Sequence, residues 1–116
     1  MYKYITRRYK KPKYLVQGNY VGEGLKGLLK EGGSRRRETV AKLLEGMGGK
    51  LEVFYYAFGD DSVYAIYDVP DNVTATALSL IVNVSGAVSI KTTVLVTPEE
   101  VDQAAKMTID YRPPGQ

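Results

Sequence analysis

No cysteine, no histidine and no tryptophan occur among the 116 residues of this chain. The first absence removes disulfides and thiol chemistry, and the second removes imidazole acid–base catalysis. Together they take away the usual transition-metal ligands, so no metal and no cofactor is expected. What remains for chemistry is carboxylates, lysine, tyrosine and hydroxyls. Long apolar runs are missing too, which excludes a membrane-spanning helix. The first residues bring charges and tyrosines where a secretory leader would need an apolar stretch, and this reads as a cytoplasmic protein. With 44% hydrophobic and 25% charged residues, the composition is that of a globular chain, and its length fits one domain.

The net charge of +3 is unevenly spread. Lys3, Arg7, Arg8, Lys10, Lys11 and Lys13 lie within residues 1–13 without an acid, so the rest of the chain stands at −3. Only this first segment, with Tyr2, Tyr4 and Tyr9 among its bases, has the composition that attracts nucleic acid or an anionic surface. Its alternative reading is a solvated, flexible tail, residues 1–11, ahead of a domain over 12–116.

The most informative stretch is Lys50–Pro70. Leu51–Phe58 and Val63–Val69 are runs of β-branched, aromatic and small apolar residues, and Gly59, Asp60, Asp61 and Ser62 between them are turn formers. This predicts a β-hairpin. Strict alternation places Leu51, Val53, Tyr55 and Ala57 on one side and Glu52, Phe54, Tyr56 and Phe58 on the other, so neither face is polar and both need cover.

Tyr14–Tyr20 alternates as a strand, with Leu15, Gln17 and Asn19 on one face. From Gly22 to Gly48 the period turns helical: Leu25, Leu28 and Leu29, then a break at Gly32-Gly33-Ser34, then Val40, Leu43, Leu44 and Met47. Ser34 is the expected N-cap of the second piece. Val73–Val84 reads as a helix with Val73, Ala77, Leu80 or Ile81, and Val84 facing inward. Ala87–Thr97 alternates as a strand, with Ser89, Lys91 and Thr93 on one side. Thr97-Pro98-Glu99-Glu100 spells a capping box with proline at the first helical position, opening a short helix that turns Val101, Ala104 and Ala105 inward.

Strand, broken helix, hairpin, helix, strand is the βαββαβ order of an α+β, ferredoxin-like fold, with a short C-terminal helix added. Its helices cover one face of an antiparallel sheet. The other, bearing Leu15, Leu95 and an aromatic set of the hairpin, predicts a homodimer or larger homo-oligomer made by stacking sheet on sheet.

Lys11–Tyr20 followed by Gly24, the double glycine Gly48-Gly49, Phe58-Gly59-Asp60-Asp61 and Val69-Pro70-Asp71 together resemble the GYD-domain family of small prokaryotic proteins. Gly59 and Asp61 match its Gly-Tyr-Asp motif, and Asp60 stands in place of the tyrosine. The resemblance covers Pro12 to Gln116 and implies a ferredoxin-like fold related to the dimeric α+β barrels, with no established activity.

Three groups of residues are candidate sites. Asp60 and Asp61 form a carboxylate pair that suits acid–base work, or a pair of turn caps, since neighbours on a strand point apart. Ser34, Arg35, Arg36 and Arg37 place amides and guanidinium groups at a helix start, suited to an anion, although arginines commonly extend into water. Lys91, with Gln17, Asn19 and, depending on register, Tyr55 or Tyr64, suits a polar ligand pocket at a dimer interface. The alternative is a structural ion pair of Lys91 with a carboxylate such as Glu52. These leave a small-ligand module, a cofactor-free enzyme of the dimeric α+β barrel kind, and a nucleic-acid or surface binder acting through residues 1–13. The last has a direct test. Removing residues 1–11 is expected to abolish any salt-sensitive binding of single-stranded nucleic acid in a filter or anisotropy assay, and undiminished binding would refute that reading.

Overall fold

A computed structural model describes residues 11–116. The expectations for the basic tail therefore fall almost wholly outside the described residues. In chain order the elements are β1 (Lys13–Tyr20), α1 (Glu23–Glu31), α2 (Gly33–Gly46), β2 (Lys50–Tyr56), β3 (Val63–Asp68), α3 (Asn72–Val84), β4 (Val88–Leu95) and α4 (Pro98–Ala105). The strands form one antiparallel sheet in the order β2-β3-β1-β4, the ferredoxin-like α+β arrangement expected from the sequence. No helix among the described residues is long and apolar enough to cross a membrane.

β1 runs through the centre and sets the two faces. Tyr14, opposite Tyr67 of β3, and Val16, opposite Ala65, point toward the helices. There Tyr14, Val16 and Tyr67 join Leu44 of α2, Val69 and Ala75 of α3 in the buried core. The Tyr14 and Tyr67 rings lie 5.6 Å apart, and the Tyr14 hydroxyl donates to Asn72 Oδ1, fastening the sheet to the first turn of α3. Burial pushes both phenols above their ordinary pKa, so they stay protonated donors at neutral pH.

The helix break falls at Gly32, whose φ of 93° lies in the region that side chains disfavour. Gly32 is thus the N-cap of α2, and no side chain caps it. Ser34, expected in that role, sits one residue inside the helix and is exposed.

Strict alternation in the first hairpin arm also fails, because the register shifts between Leu51 and Val53. This bulge puts Leu51, opposite Tyr67, on the same face as Phe54 and Tyr56, opposite Ala65 and Val63, while Val53 and Tyr55 take the other face. Phe58 lies in the loop after β2 and is fully exposed.

α3 is turned differently from expectation. Ala75 is buried and Leu78 packs on the core, whereas Val73, Leu80, Ile81 and Val84 are exposed. Both stripes of this helix are apolar, so periodicity could not choose between them. Polar fasteners made the choice. Asp71 caps the helix by accepting from Thr74 N at 2.8 Å, a bond that holds its carboxyl below the usual pKa. Asn72 accepts from Tyr14, and Asn83 Oδ1 accepts from the main-chain nitrogen of Ile90 in β4 at 2.8 Å.

The capping box of α4 is formed as read, with Thr97 and Glu100 exchanging hydrogen bonds of 2.7 and 3.0 Å. Val101, Ala104 and Ala105, however, are exposed, as is the rest of the chain from Pro98 to Gln116. Leu44, the buried residue of α2, is fully enclosed in the core. Leu44→Ala should cost about 2–5 kcal/mol in denaturant unfolding. A loss below ~1 kcal/mol would show that α2 does not close the core.

Candidate functional site

The second sheet face receives the opposite set of side chains from each strand, and register aligns them. Gln17 of β1 lies opposite Tyr64 of β3 on one side and opposite Lys91 of β4 on the other. Tyr64 in turn lies opposite Tyr55 of β2. Tyr55, Tyr64, Gln17 and Lys91 therefore form one transverse rung across all four strands. Beside it runs an apolar rung of Val53, Ile66 and Leu15, ending at Thr93. On the other side Asn19 lies opposite Ser89.

The hairpin loop closes this polar patch. Ala57 N donates to Ser62 O at 2.9 Å, and Ser62 N donates to Gly18 O at 2.8 Å, drawing the loop onto β1. Tyr20 N also donates to the Ser62 hydroxyl. Gly18 allows the central strand to run this close to its neighbour, because a Cβ there would stand 2.1 Å from the Ser89 carbonyl oxygen. Asp61 is held over the patch, where its carboxylate accepts from Gln17 Nε2 at 3.0 Å and from Asn19 Nδ2 at 3.2 Å. Asp60 is exposed and shares none of these bonds. The two carboxylates therefore do not converge, in keeping with the turn reading. The sequence offered Asp61 as half of a carboxylate pair or as a turn cap; its link to Gln17 and Asn19 spans more than forty residues and leaves no local signal.

Lys91 is exposed and has no ion-pair partner among the described residues. Glu52, the carboxylate weighed for it, pairs with Lys13 instead. The polar rung is laid out on an open sheet face. A groove of about 390 Å³ between α2 and β2 reaches the edge of the rung at Tyr55, and another of about 260 Å³ lies between α3 and β4.

The arginine cluster does not come together. Successive helical residues point in different directions, and only Arg36 is half-buried, while Ser34, Arg35 and Arg37 are exposed. Arg37 borders the groove beside β2. Next to Arg36, Tyr56 donates its hydroxyl to Gly33 O at 3.1 Å and packs edge-on against Phe54, ring centroids 5.3 Å apart. Burial, helped by the neighbouring Tyr20 and opposed by Arg36, pushes the Tyr56 phenol up to about 12.

Residues 14–105 match the family model of the GYD domain. No curated protein and no solved structure matches the chain.

The Tyr56 shift makes a testable statement about pH. A phenol whose folded-state pKa is raised adds stability that is fully present below its unfolded value, about 10, and is lost as pH rises through about 12. Ultraviolet titration of the folded protein should show several late-ionising tyrosines, Tyr14 and Tyr67 among them, and the step near 12 should disappear in Tyr56→Phe. An unchanged titration curve would place the shift elsewhere.

Proposed function

The chain belongs to the GYD-domain family, and from that premise we propose that it acts as a homodimer whose uncovered sheet faces enclose a small anionic ligand. The observation that carries this reading is the rung of Tyr55, Tyr64, Gln17 and Lys91, aligned across the face opposite the helix-covered core among the described residues.

Sheets stacked face to face lie ~10 Å apart. In such a stack the rung of Val53, Ile66 and Leu15 provides the apolar contact, and the polar rung lines the space that remains. Enclosure changes the energetics of Lys91. An ammonium group is inexpensive on an open face, but it is costly in a closed space unless an opposite charge meets it. The nearby carboxylate of Asp61 is engaged by two amides of its own chain. A ligand carboxylate or similar anion supplies the missing charge, and the hydroxyls of Tyr55, Tyr64, Ser89 and Thr93 offer neutral hydrogen bonds around it. Catalysis forms no part of this reading, because among the described residues no group on the rung has a partner arranged to activate it.

Light scattering should give a dimer at micromolar concentration, and native mass spectrometry of protein purified from its source should show a low-mass anionic adduct. Lys91→Met is expected to keep the fold and stabilise the dimer by on the order of 1 kcal/mol, since it replaces a charge that enclosure would strand. The adduct should be lost. A clean monomer, or a Lys91→Met protein that melts much earlier while keeping its adduct, would overturn the proposal.

A further inference from the structure

Two apolar surfaces stay uncovered by the described residues. The first is the C-terminal arm. α4 begins with a complete capping box and proline at its first position, yet it buries none of its residues. Eight residues make a marginal helix in water unless packing supports them. Its sequence is amphipathic: Val101, Ala104 and Ala105 form one stripe, and Glu99, Asp102 and Lys106 the opposite one. Beyond it Met107, Ile109 and Tyr111, each about 70% exposed, alternate with Thr108 and Asp110.

The second surface is the outer side of α3. This helix carries no charged residue from Asn72 to Val84. Ala75 and Leu78 face the core, while Val73, Ala77, Leu80, Ile81 and Val84 make an exposed stripe on the other side. An uncharged helix with a second apolar stripe turned away from the core needs cover on that side as well. Next to the stripe runs the groove of about 260 Å³ bordered by Leu80 and Val94.

We propose that a second copy of the chain seats its C-terminal arm on this stripe, and that the exchange is reciprocal. Two features favour a second copy over the chain's own arm. Only Val96 and Thr97 separate β4 from α4. Thr97 is held extended, with φ −82° and ψ 159°, by the two bonds of the capping box, and the helix that follows buries none of its residues against its own chain's described residues. The chemistry also matches. The uncharged stripe of α3 suits the apolar side of α4, Ala104 and Ala105 let two helices approach closely, and the arm's acids stay on the wet side. The area is sufficient as well. At roughly 70 Å² apiece, the large apolar side chains of one arm and one stripe bury on the order of 550 Å². A two-fold exchange doubles this to roughly 1,100 Å², above the ~1,000 Å² a stable interface needs.

The lack of cysteine gives a clean test in the full-length chain. Val101→Cys and Ile81→Cys, both at exposed positions, are made separately, mixed, allowed to exchange subunits and mildly oxidised. The expected product is a disulfide-linked heterodimer, at least tenfold in excess of the cross-linked homodimer that either variant forms alone. Absence of the heterodimer would overturn the proposal, and so would a double variant that closes its disulfide within one chain. Equal cross-linking of Val101→Cys with itself would place arm against arm and overturn it too. Since the contact lies on the helix side, its failure leaves the sheet-face dimer standing, whereas a monomer in light scattering removes both.

Discussion

Everything in this molecule depends on the register of β1. This central strand pairs with β3 on one side and β4 on the other, and its alternation decides what each sheet face contains. Tyr14 and Val16 enter the core, and Leu15, Gln17 and Asn19 go to the opposite face. A slip of one residue would exchange these sets, exposing the tyrosine that anchors α3 and burying two amides. The register is guarded at both ends. Tyr14 holds Asn72 at one end, and at the other the hairpin loop is tied down through Ser62 to Gly18 and through Asp61 to Gln17 and Asn19. The same bonds that fix the strand thus arrange the polar patch, so fold and candidate site share one set of constraints.

A second theme is surplus apolar surface. The outer side of α3, the C-terminal arm and the sheet face with Tyr55 and Tyr64 all expose large apolar or aromatic groups. Isolated exposed hydrophobes are ordinary, but contiguous stripes on a small chain mark surfaces meant to be covered. On α3, hydrogen bonds at Asp71, Asn72 and Asn83 act together with the packing of Ala75 and Leu78 to hold the second apolar stripe outward.

Much of the architecture was legible in residue order. The hairpin, the first and last strands, the glycine break and the capping box each rest on local rules of spacing, turn chemistry or capping, and local rules can be read from a sequence. The readings that failed depended on contacts between distant residues. Alternation in β2 was broken by a bulge against β3, and α3 had two apolar stripes with nothing local to rank them. Ser34 yielded its place to Gly32, because a left-handed backbone there moves the helix start. Val101 was expected inside because it is apolar, yet it is exposed among the described residues.

By itself, the sequence determined the chemistry that is possible: a chain without histidine or cysteine must work with lysine, tyrosine, amides and carboxylates, and its periodicities commit it to an α+β sheet with helices on one side. Tertiary structure alone decided which of those groups meet. Tyr55, Tyr64, Gln17 and Lys91 lie far apart along the chain and share a rung only because antiparallel pairing sets each strand against its neighbours in a particular register. Such pairing is fixed by the packing of whole faces and by the anchoring of one loop, and no local stretch of sequence contains either.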